Sequence, residues 1–157
     1  MFNAPFTEML LVLLGALLLV AAVIDVRTFT ISNKLNLAVA LLAPVYWLAT
    51  GTPLWPDAAM HLGAGAGVFM LLALAFYAGM MGGGDVKLAA ALALWFSPAS
   101  VLKFLVIMSL AGGVLTLAYL AFHRLKRREG RPEIPYGVAI AIGGIAILTQ
   151  RFLNQFA

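Results

Sequence analysis

The sequence contains no cysteine, and only 10% of its 157 residues are charged. The first absence excludes disulfides, thiolate metal sites and a cysteine nucleophile, while leaving the compartment open. The second excludes an ordinary soluble domain, in which about 25% of residues are charged. No Ser/Pro/Gly-rich linker or charge-rich stretch is long enough to separate a second domain, so a single domain over residues 1–157 is expected. The N-terminus also lacks the basic start of a secretory signal. Its first apolar run closes on Asp25-Val26-Arg27, not on a small-residue cleavage site, and is therefore expected to stay as a membrane helix.

What the chain does have is hydrophobicity, at 64% of residues. An all-α, polytopic membrane bundle follows, because a spanning helix needs about 20 mostly apolar residues and several such runs are present. Residues 9–24 carry no charge, and continuing that helix through Val26 brings Asp25 into its last turn. Ser32 and Asn33 are N-cap types for a second helix over residues 34–49, with a kink expected at Pro44. Gly51-Thr52-Pro53 and Trp55-Pro56-Asp57 mark a turn with tryptophan at interfacial depth. The third run, residues 58–81, sets Gly63 and Gly67 on a small-xxx-small face suited to close helix packing. Residues 86–96 are apolar but short for a crossing at about 1.5 Å per residue. Residues 101–122 form a full span, and a last run opens at Glu133-Ile134-Pro135-Tyr136-Gly137 and ends near Leu148.

Charge asymmetry sets the number of crossings. With the N-terminus outside, six crossings put Arg27, Lys34, Lys87, Arg124, Lys126, Arg127, Arg128 and Arg131 on one face, eight of the ten Lys and Arg residues. Only Lys103 and Arg151 fall on the other, as the positive-inside rule asks of a cytoplasmic and an external face. Lys87 and the Arg124 cluster share a side only if residues 86–96 cross. The basic cluster thus reads as an orientation anchor, and a nucleic-acid partner is not expected.

Six acids remain to be placed. Glu8 and Asp57 fall outside, and Glu129 and Glu133 sit among basic residues where solvated ion pairs account for them. Asp25 and Asp85 end up at the same depth, at the cytoplasmic ends of two apolar segments. Two carboxylates at one site cannot both ionise cheaply, so such a pair holds one proton near neutrality and can act as base and acid together. Structural roles compete with this: Asp25 could pair with Arg27, and Asp85 could cap the helix it opens. A broken helix with acids also suits a small transporter or channel subunit using the pair as an ion or proton site. An inert assembly protein would have the same composition.

Asp85 closes the glycine-rich break Gly79-Met80-Met81-Gly82-Gly83-Gly84. Three consecutive glycines forfeit roughly 1 kcal/mol each of helix propensity relative to alanine. They also leave backbone that an extended substrate strand could lie against.

Gly82-Gly83-Gly84-Asp85-Val86-Lys87-Leu88 resembles the GxGD signature of the membrane aspartyl peptidases, and its trailing Lys and Leu resemble the type IV prepilin peptidase branch. Asp25-Val26-Arg27 with Ile31-Ser32-Asn33 is similar to that family's first-aspartate motif, with Ser32 where proline is common. Pro135-Tyr136-Gly137-Val138-Ala139 resembles the segment that opens the last helix. The resemblance implies six membrane helices, Asp25 and Asp85 as the catalytic pair, and Gly82, Gly83, Gly84, Lys87, Arg27, Asn33, Pro135 and Gly137 as supporting or substrate-binding residues. It further implies cleavage of the basic leader of prepilins or pilin-like subunits at the cytoplasmic face of the inner membrane, with no metal or other cofactor. The small size looks most like the Flp-type enzymes, with archaeal preflagellin peptidases next. Longer members carry paired CxxC motifs linked to N-methylation, so a chain without cysteine is expected to cleave without methylating. The partners implied are the pilin-like substrate and the lipid bilayer; whether the chain acts as a monomer or a homo-oligomer stays open.

Overall fold

The computed structural model describes residues 4–125 and 134–155. The described residues form helices α1 (Ala4–Thr28), α2 (Asn33–Thr50), α3 (Ala59–Tyr77), α4 (Gly83–Ala93), α5 (Pro98–Leu125) and α6 (Tyr136–Gln155). An irregular turn over Leu54–Ala58, extended at Trp55, leads into α3. The all-α expectation of six helices therefore holds. Among the described residues four helical stretches are long and apolar enough to cross a membrane: Ala4–Thr28, Leu54–Tyr77, Pro98–Leu125 and Tyr136–Asn154. Lys126, Arg127, Arg128, Glu129, Arg131 and Glu133, and the anchor expected of them, lie outside the described residues.

At 11 residues, α4 can be short because protein surrounds it. Leu88, Ala89, Leu92 and Ala93 are fully buried, and the helix packs against α2, α3 and α6. Two tryptophans lace α2 to its far end: Trp47 Nε1 donates to the Leu94 carbonyl at 3.0 Å and Trp95 Nε1 to that of Val39 at 2.9 Å. Both are buried and so make no interfacial belt, whereas Trp55 is exposed as expected.

Several boundaries and packing faces differ from expectation. α3 stops at Tyr77 instead of running to Met81, and Gly79 takes up the left-handed φ of 68° that turns the chain toward α4. α4 begins at Gly83, inside the glycine run, because Asp85 caps its first turn. α2 passes through Pro44 as one helix; that residue is exposed, where water or lipid faces the lost hydrogen bond. α6 continues past Leu148 to Gln155. In α3, Gly63 and Gly67 face open space, and Gly65 is the close approach: a Cβ there would lie 3.3 Å from the Ala90 carbonyl of α4. α6 supplies further small-residue contacts, Gly143 against Phe104 of α5 and Gly144 against Leu92 of α4 and Leu18 of α1.

Candidate functional site

The chain buries three side chains that are charged or strongly polar, Asp25 (2% exposed), Asn36 (5%) and Asp85 (7%), among its described residues. Desolvating a carboxylate is costly unless hydrogen bonds or function compensate. Asp25 projects from the last turns of α1 toward the start of α6, where its Oδ2 accepts the Gly137 backbone N–H at 2.6 Å. The free amides of a helix N-terminus suit a carboxylate. Pro135, fully buried just before α6, and the turn bond from Tyr136 N–H to the Ile134 carbonyl at 2.9 Å hold that terminus in place. Gly137 has to be glycine, since a Cβ would lie 2.7 Å from Asp25 Oδ2.

Asp85 stands in the first turn of α4 and its Oδ2 accepts the Gly82 backbone N–H at 3.1 Å. The capping role open at the sequence level is therefore realised. The alternative for Asp25 is not: Arg27 is exposed, and no ion pair joins it to Asp25 among the described residues.

Ile31 draws the three motifs together. A Cβ on Gly84 would lie 2.7 Å from the Ile31 carbonyl oxygen, and one on Gly137 would lie 2.7 Å from Ile31 Cδ1. The α1–α2 connector thus touches the glycine run and the α6 entrance at once. Asp25 is held at Gly137 and Asp85 at Gly82, and Ile31 lies against both Gly137 and Gly84, so the two carboxylates share one end of the bundle. Gly83 and Gly84 are helical, and only Gly82, with extended φ −74° and ψ 148° and exposed, keeps the open backbone expected of the whole run.

The remaining expected residues hold the rim. Lys87 Nζ donates to Asn33 Oδ1 at 2.9 Å on the surface, joining α4 to the start of α2, where Ser32 accepts the Leu35 N–H at 3.3 Å. Asn36, one turn beyond Asn33, is the residue that sequence reasoning missed. Its Nδ2 donates to the Gly84 carbonyl at 3.0 Å, while Oδ1 is buried with no partner among the described residues. An asparagine inside an apolar helical run was the available signal.

A largely apolar groove of about 480 Å³ opens between α3 and α5, lined by Met80, Met81, Met108, Gly112, Gly113 and Tyr136 among others. It reaches the site at both ends of the motif set, since Met81 precedes Gly82 and Tyr136 precedes Gly137. Among the described residues no cluster of His, Cys, Asp and Glu could hold a metal ion.

A family model described as the type IV leader peptidase family matches residues 12–117, a stretch that includes both aspartates. The prepilin leader peptidase/N-methyltransferase of Pectobacterium carotovorum subsp. carotovorum is 31% identical over 137 residues, covering 85% of this chain and 48% of that protein. The chain thus spans about half the length of this curated relative. No solved structure matches.

Proposed function

The chain belongs to the type IV leader peptidase family, and from that premise we propose that it is a membrane-embedded aspartic endopeptidase that removes the leader of Flp-type prepilins without methylating the new N-terminus. The observation that carries this reading is the burial of Asp25 and Asp85 at one end of the bundle, each held by a backbone amide. In this reading one carboxylate is ionised and takes a proton from water as that water adds to the scissile carbonyl, while the other, protonated, donates to the carbonyl oxygen. Collapse of the tetrahedral intermediate breaks the C–N bond and returns a proton to the leaving amine. The scissile segment lies along the open backbone at Gly82, and the apolar helix of the substrate lies in the groove between α3 and α5.

The active end faces the cytoplasm of the inner membrane in this proposal, with α2 and α4 also crossing and the whole chain acting as one domain. The cation count supports that orientation. Two features support cleavage without methylation: the chain has no cysteine, and α1 and α2 are joined by only residues 29–32, which leaves no room there for an inserted domain.

Co-expression with candidate prepilins tests the function. The expected result is a faster-migrating pilin whose N-terminus begins at the hydrophobic helix, and unchanged mobility of all candidates would contradict it. Mass spectrometry of pilin processed by purified enzyme with S-adenosylmethionine present should show no added methylene; such an addition would remove the methylation part of the proposal.

A further inference from the structure

The end of the bundle opposite the aspartates holds a polar cavity of about 540 Å³, bounded by the α2–α3 turn, the α4–α5 turn and the last turns of α6. Its lining includes Tyr46, His61, Ser97, Ser100, Lys103 and Arg151. Lys103 and Arg151 are the two cations that depart from the otherwise one-sided distribution of Lys and Arg, and the fold brings them to one cavity from α5 and α6. No acid among the described residues lines it; Asp57 belongs to an adjoining cavity of about 220 Å³ that shares His61 and Ser97 but neither cation.

Among the described residues two buried polar atoms of the lining side chains have no partner, the Tyr46 hydroxyl and His61 Nδ1, and Tyr46 is only 3% exposed. A buried polar group left unpaired is destabilising, and the cavity far exceeds the roughly 30 Å³ share of one water. Arg151 is held over the Tyr46 ring, 5.1 Å from its centroid, which preorganises its planar fork of donors. Hydroxyl donors, a lysine and an oriented arginine, with no acid among the described lining residues, match a phosphate group. Exposed Leu54 and Trp55 beside this end mark it as the depth of lipid headgroups.

We infer that this cavity is an anion site that binds a phosphate group, through Lys103, Arg151 and the Tyr46 hydroxyl, at the membrane face opposite the aspartates. A phospholipid headgroup and free phosphate share that chemistry. Thermal unfolding of the purified protein in neutral detergent separates them, titrated in parallel with phosphatidylglycerol, with diacylglycerol of the same chains, and with inorganic phosphate. Stabilisation by phosphatidylglycerol but not diacylglycerol identifies a headgroup site; stabilisation by inorganic phosphate alone identifies a free-anion site.

In either case Lys103→Gln and Arg151→Gln should each raise the half-saturating concentration about tenfold, the loss of one charge-assisted bond, and Tyr46→Phe a few-fold. Lys34→Gln combined with Arg124→Gln, at the other end, should leave it unchanged. Lys103 is exposed and Tyr46→Phe removes a single atom, so these two carry the test if Arg151→Gln does not fold. Equal stabilisation by phosphatidylglycerol and diacylglycerol, no stabilisation by any ligand, or wild-type affinity in Lys103→Gln and Tyr46→Phe, would overturn the inference.

Discussion

At Gly84 an added methyl group would press on the backbone of Ile31, 2.7 Å from its carbonyl oxygen and 3.2 Å from its nitrogen, and backbone cannot swing aside as a side-chain tip can. At Gly137 it would meet Asp25 itself. Gly84→Ala and Gly137→Ala should therefore each cost about 1–3 kcal/mol, read as a lower unfolding temperature in detergent, and Gly137→Ala should also impair cleavage by displacing the carboxylate. Gly63→Ala, with open space around it, should be neutral or stabilising by up to about 1 kcal/mol. Wild-type stability in Gly84→Ala would contradict the close approach of Ile31. The two aspartates were legible in the sequence because a carboxylate in an apolar segment is conspicuous. The partners of Asp25 were not: Gly137 lies 112 positions away, and no local pattern encodes a hydrogen bond across the bundle. Nor could helical spacing tell that Gly65 and not Gly63 or Gly67 meets a neighbour, since spacing defines a face but not what covers it.

Among the elements, α2 was read most closely, 34–49 against Asn33–Thr50, whereas α4 was recognised as a short helix but begins and ends three residues earlier than expected. A short apolar segment after a glycine run gave away a helix too brief to stand in lipid alone, and the structure supplies the reason in its enclosure by α2, α3 and α6. α3 ends early because Met80 and Met81, though apolar, are drawn into the turn that follows Gly79. Those methionines then line the groove between α3 and α5, where unbranched, polarizable side chains can adapt to different apolar partners. Gly113 keeps the groove open, since a Cβ there would have nothing within 4 Å, while a Cβ on neighbouring Gly112 would lie 3.3 Å from the Tyr136 ring. Gly113→Phe should fill the groove and raise KM for a prepilin severalfold without lowering the unfolding temperature. Unchanged KM would mean that the substrate helix docks elsewhere.

Across the whole molecule, charge divides the two ends into different chemistries. One end holds buried carboxylates ringed by exposed cations, and the other holds the polar cavity with Lys103 and Arg151. The proposed orientation predicts that single cysteines placed at Thr52 and Ser97 react with an impermeant thiol reagent from outside, and that those at Ser32 and Gly130 do not. Outside labelling at Ser32 would reverse the bundle and put the aspartates on the wrong face for a leader that has not crossed the membrane. The native chain has no cysteine to confuse the readout.

The most direct measurement of whether the buried carboxylates do the chemistry is single-turnover cleavage of a purified prepilin by wild type, Asp25→Asn and Asp85→Asn, each first shown to unfold within a few degrees of wild type. A catalytic pair working as acid and base predicts a loss of at least about 10²-fold for each variant, with Glu129→Gln close to wild type. Cleavage by either Asn variant within a few-fold of the wild-type rate would take that aspartate out of the mechanism and contradict the pair.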